Sequence, residues 1–68
     1  MPYPKIDDLP DSVKQHLPKH AQEIFRAAFN NALEEYENEE SAFRVAWSAV
    51  KRDYEKGEDG QWHKKPDN

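Results

Sequence analysis

A chain of 68 residues fits one domain, and a domain this short hides only about 60% of the surface its unfolded form exposes, so its core is thin. The sequence holds no cysteine, which excludes disulfide staples, thiolate metal sites and cysteine redox chemistry. Fourteen acidic against ten basic side chains give a formal net charge of -4, which argues against bulk attraction to DNA, RNA or anionic lipid.

Residues 7–17 read as a short helix: Pro10 and the acids Asp7, Asp8 and Asp11 suit an N-terminus, and Leu9, Val13 and Leu17 repeat every four positions. Pro18 cannot extend that helix but can open the next, so the chain turns a corner at Leu17-Pro18. From residue 19 to about 38, Phe25, Ala28, Phe29, Ala32, Leu33 and Tyr36 trace one helical face, with Ile24 at its edge. Gln22, Glu23, Arg26, Asn30, Glu34 and Glu37 form the hydrated side. Residues 37–41 interrupt the pattern, and Asn38 or Ser41 can cap a further helix. In that helix Phe43, Ala46, Trp47, Val50 and Tyr54 face one way, and it is expected to end at Lys56-Gly57.

Residues 57–60 are a turn, and the short stretch from Gln61 to His63 is expected to be extended. A domain this poor in core has reason to fold Trp62 back onto the helices, with residues 2–4 beside it. The sequence therefore predicts a mainly α fold: a compact bundle of one short and two longer amphipathic helices. Its extended N- and C-terminal segments would pair as a minimal β element. The expected core is Leu9, Val13, Leu17, Phe25, Phe29, Ala32, Tyr36, Phe43, Trp47, Val50, Tyr54 and Trp62. One domain is expected over residues 1–65, with residues 66–68 as a mobile tail. Two Trp, three Tyr and three Phe argue for packing rather than disorder, although 35% of the residues are charged.

No apolar run reaches signal-peptide or membrane-spanning length, so a soluble cytoplasmic monomer is expected, peripheral to a membrane only through a partner. No catalytic residue and no cofactor are expected. Ser12, Ser41 and Ser48 sit in or beside the predicted helices, two of them near helix starts, where hydroxyls cap. His16 and His20 have the four-residue spacing of zinc ligands, but Pro18 separates them and no third ligand follows. Glu34, Glu35, Glu37, Glu39 and Glu40 lack the glycine and alternating spacing of a calcium loop. They read instead as a solvated acidic patch suited to a basic partner. Lys51, Arg52, Lys56, His63, Lys64 and Lys65 gather the opposite charge and offer a protein-binding or nucleic-acid surface, with Trp62 among them.

Several blocks in register resemble the ChaB family. They are Met1-Pro2-Tyr3, Asp8-Leu9-Pro10-Asp11-Ser12-Val13-Lys14 and Leu17-Pro18-Lys19-His20-Ala21-Gln22, then Ala28-Phe29-Asn30-Asn31-Ala32. The series continues with Ala46-Trp47-Ser48-Ala49-Val50-Lys51, Tyr54-Glu55-Lys56-Gly57 and Trp62-His63-Lys64-Lys65. The resemblance implies a small helical cytoplasmic protein labelled a cation transport regulator, thought to act on a sodium or calcium/proton antiporter. It supplies no catalytic motif and no ligand residues. Some relatives carry a longer acidic insertion between the helices, where this chain has only Glu37-Asn38-Glu39-Glu40-Ser41. The alternative implied by fusions within the family is a nucleic-acid accessory domain.

Overall fold

Two prolines set the first third of the fold. In the computed structural model, which describes residues 3–66, the expected first helix is split into a 3-10 turn at Ile6–Asp8 and a short α1, Asp11–Lys14. The split falls at Leu9-Pro10. The proline ring crowds the residue before it out of helical angles, and Leu9 sits at φ -64, ψ 152. Leu9, Val13 and Leu17 are nevertheless all buried, because the corner returns them to one side. Pro18 makes the second corner, φ -64 and ψ 162, and starts α2, Lys19–Tyr36. The Gln22 amide donates to the carbonyls of Leu17, at 2.8 Å, and Lys14, at 3.3 Å, satisfying acceptors that the end of α1 leaves open.

α2 ends on Glu37 in the left-handed region, φ 56, whose N–H donates to the Leu33 carbonyl at 2.8 Å. Asn38 then caps α3, Glu39–Asp53, its side-chain oxygen accepting from the Ser41 N–H at 3.2 Å. Glu39 and Glu40 in the first turn and Lys51 and Arg52 in the last complement the helix dipole. Only two residues separate α2 from α3, so the pair forms a tight helical hairpin.

α3 stops three residues before the expected Lys56. Tyr54–Lys56 is instead a strand, β1, paired antiparallel with β2, Trp62–Lys64. The C-terminal segment thus finds its partner in the chain just past α3, not in the N-terminal segment. The exchange gives the backbone a ladder and buries Tyr54. The loop between the strands depends on its glycines. Gly60 lies at φ +84, and a Cβ on Gly57 would stand 2.9 Å from both the Asp59 carboxylate and the His63 ring. The Gly57 N–H closes the loop on the Gln61 carbonyl at 2.7 Å.

Phe25 and Phe29 lie at the centre, fully enclosed. Phe43 tilts onto Phe29 at 4.8 Å and onto Phe25 at 6.0 Å, and Trp47 meets Phe25 edge-on at 5.0 Å. Ala21, Ala42 and Ala46 are completely buried and belong to the core, where their small size lets the helices approach; Ala46 stood on the apolar face of its helix but outside the expected core, and Ala21 and Ala42 stood outside both. Tyr36 does not belong to it. As the last residue of α2, just before the turn, it is left 54% exposed. Phe43, Trp47 and Trp62 pack against the core only partly buried.

The N-terminal segment docks elsewhere than expected. Tyr3 packs on Phe29 at 4.8 Å with the rings tilted by 40°, and its backbone is clasped by Asn30, which accepts from the Tyr3 N–H at 2.8 Å and donates to its carbonyl at 2.9 Å. Arg26 donates to the same carbonyl at 3.3 Å. Two residues of the hydrated face of α2 therefore hold a strap of chain, whereas Trp62 packs on Trp47. Of the proposed tail, Pro66 is exposed, and residues 67–68 lie outside the described residues.

Candidate functional site

Three elements meet at the end of the molecule where α3 gives way to the strands. α1 and the turn after it supply Ser12 and His16, α3 supplies Trp47 and Lys51, and the hairpin supplies Lys56, Gly60 and Trp62. Together they line an open groove of about 400 Å³. The placement follows from local rules. Trp47 and Lys51 are four apart and share one face of α3. Lys56 and Trp62 are directly opposite in the strand register, so both project from the same face of the ribbon.

Backbone bonds hold the hairpin in place against the helices. The Trp62 N–H donates to the His16 carbonyl at 2.9 Å, and the Lys65 N–H donates to the Asp53 carbonyl at 2.8 Å. The two indoles lie 5.6 Å apart, inclined by 33°. Trp47 reaches Phe25 behind it, so the floor of the groove is continuous with the aromatic core. Each indole keeps part of its surface in water.

The charge of the groove runs against that of the molecule. Its charged lining is Lys51 and Lys56, with His16 at the rim and no carboxylate among the lining residues. Among the described residues the ion pairs lie elsewhere: His20 with Glu23 at 3.9 Å, Arg44 with Glu40 at 3.6 Å and His63 with Asp59 at 3.2 Å. Neither groove lysine has a carboxylate partner among the described residues.

The remaining members of the basic set are dispersed. His63 pairs with Glu55 on the opposite face of the ribbon, and its Nε2 lies 3.2 Å from both Asp59 oxygens. Lys64 stands opposite Tyr54, and Arg52 and Lys65 are exposed outside the groove. Strand alternation therefore splits the Trp62 to Lys65 segment between two faces.

The acidic set gathers at the other end, where α2 meets α3, with all five carboxylates exposed. Glu34 and Glu35 end α2, Glu37 makes the turn, and Glu39 and Glu40 open α3. Among the described residues, no group of three His, Asp or Glu is arranged to hold a metal ion. His16 lines the groove whereas His20 faces Glu23 and the Tyr54 ring, 6.4 Å away, so the zinc-like spacing diverges in space. Neither Ser12 nor Ser41 caps a helix: α1 follows Pro10 without a side-chain cap, and α3 is capped by Asn38.

The sequence reading picked out Lys51 and Lys56 and placed Trp62 both in the core and beside the basic residues, but it put Trp47 in the core alone, weighed Ser12 and His16 only for catalysis and zinc, and did not single out Gly60. The useful signal was the four-residue step from Trp47 to Lys51 beside a second Trp in a basic segment.

These features define a small mainly helical domain, closed by a β-hairpin, with an aromatic groove edged by lysines. The chain belongs to the ChaB family, whose profile matches residues 9–65. It is 49% identical over 75 residues to the "putative cation transport regulator ChaB" of Escherichia coli strain K12, covering 96% of this chain and 99% of that protein. The protein of the same name from Shigella flexneri matches to the same extent. An alignment over 75 residues is longer than this chain's 68, so these relatives carry extra residues within the matched stretch. The fold agrees with the "NMR solution structure of the putative cation transport regulator ChaB" at a TM-score of 0.87 and 48% identity, covering 96% of this chain and all of that one.

Proposed function

We propose that this chain is a non-enzymatic regulator of cation transport that binds, as a monomer, the cytoplasmic side of a sodium or calcium/proton antiporter. The observation that carries the reading is near full-length similarity to proteins named as cation transport regulators. Among the described residues no helix is long and apolar enough to cross a membrane, which is compatible with a chain that acts on the transporter from outside the bilayer. Binding is the means of regulation in this reading: Ser12 and His16, which both border the groove, are exposed to water, and His63 is engaged by Asp59.

The acidic end, Glu34 to Glu40, and the lysine groove give the domain two unlike surfaces with which to orient on a partner. The test is co-purification of the tagged chain from native membranes. Enrichment of a cation/proton antiporter supports the reading, and membranes yielding no antiporter above an untagged control overturn it.

A further inference from the structure

We propose that the groove between Trp47 and Trp62 is a docking cleft for an acidic peptide segment of a partner protein. An aromatic or aliphatic side chain of that segment lies on the indoles, and its carboxylates meet Lys51 and Lys56. The inference rests on the reading of the chain as a protein-binding regulator, though not on the partner being an antiporter.

Charge complementarity selects the occupant. In a chain with fourteen acidic side chains, the two lysines converging on this groove lack carboxylate partners among the described residues. Two part-exposed indoles lining the groove with those cations offer apolar contact, and desolvation under a bound side chain strengthens the charge pairs beside it. The volume of about 400 Å³ falls within the range of roughly 300–1,000 Å³ typical of ligand clefts, and it suits a short segment rather than a folded domain.

A nucleic-acid strand fits less well. Phosphates repeat along such a strand, whereas the groove offers only two lysines and no guanidinium fork. A second copy also fits poorly. Its acidic residues lie on two helix ends and a tight turn rather than on an extended segment, and each copy has a net charge of -4.

Because both tryptophans of the chain line the groove, intrinsic fluorescence reads the site directly. The full chain is titrated with a synthetic peptide of glutamates interspersed with Phe, alongside versions with Gln for Glu or Ala for Phe. A single-stranded oligonucleotide of equal charge is the further comparison. The expected result is a tryptophan emission change with the Glu/Phe peptide, amide shifts centred on His16, Lys51, Lys56 and Trp62, and loss of binding with either altered peptide. Lys51→Gln and Lys56→Gln, both at exposed positions, should each weaken binding about threefold to fivefold with the melting curve unchanged.

Absence of binding at millimolar peptide, shifts confined to another surface, or tighter binding of the oligonucleotide would overturn the cleft. So would a self-association that the peptide does not compete away. Peptide binding without antiporter enrichment leaves the cleft standing and removes the antiporter, whereas an antiporter captured equally well by the Lys51→Glu, Lys56→Glu double variant does the reverse.

Discussion

Phe25 and Trp47 touch each other, yet they carry different weight. Phe25 is enclosed on every side, so Phe25→Ala leaves a cavity costing about 3–5 kcal/mol, enough to unfold a domain of this size. Trp47 is only partly buried where it lines the groove, and its truncation should cost less; thermal melts of the two variants measure the difference. Glu37 bears the opposite sign. It occupies left-handed backbone, φ 56, where a Cβ is unfavourable, and Glu37→Gly should raise stability by about 1 kcal/mol, read as a higher Tm. The Tyr3 phenol is held above its ordinary value of 10.0 by partial burial and, secondarily, by Glu39. A raised folded pKa means that its contribution is complete below the unfolded pKa and is lost as pH rises through the folded one. The strap on Asn30 should therefore loosen only at strongly alkaline pH, in step with Tyr3 ionisation followed by absorbance.

The hairpin illustrates how one element supports another. Asp59 accepts from the Gln61 N–H at 3.0 Å, and its carboxyl is held below the ordinary value of 3.8 first by that bond and then by His63. A depressed folded pKa adds stability above the unfolded value and loses it as pH falls through the folded one. Acidification below 3.8 should thus release the loop while the helices persist, visible as a shift of the Gln61 amide that Asp59→Asn removes. The turn between α2 and α3 has its own fastener: Asn38→Ala forfeits the cap on the Ser41 N–H and should cost about 1 kcal/mol in chemical denaturation.

Across the whole molecule, the buried set runs from Leu9 to Tyr54 without a break, so all the helices share one core. Such a core melts as a unit, and the hairpin belongs to it through Tyr54 and through Trp62 on Trp47. Deleting residues 57–68 strips both β2 and the cover of Trp47. The shortened chain should lose about 3 kcal/mol, on the scale of a half-buried indole and its ring pair, and its tryptophan emission should move to the red. The molecule is elongated, 34 × 24 × 16 Å, with the acidic turn and the lysine groove at opposite ends of the α2/α3 hairpin.

The sequence by itself determined what depends on near neighbours. The three- and four-residue spacing of Phe25, Phe29 and Ala32 and of Phe43, Ala46, Trp47 and Val50 located both long helices, Pro18 marked where the first begins, and the cap of the second lay between Asn38 and Ser41 until the structure chose Asn38. The blocks in register identified the family. Tertiary structure decided whatever two distant stretches had to settle between them. Tyr54 continues the helical period of α3, but it became a strand because the C-terminal segment supplied a ladder and the core supplied a place for its ring. Asn30 looked hydrated and instead holds Tyr3, twenty-seven positions away. The groove belongs to this second kind. No single stretch contains it, because Ser12, Trp47 and Trp62 come together only when the hairpin closes on the helix pair. Side-chain periodicity reports one element's own face and is silent on which foreign backbone will cover it.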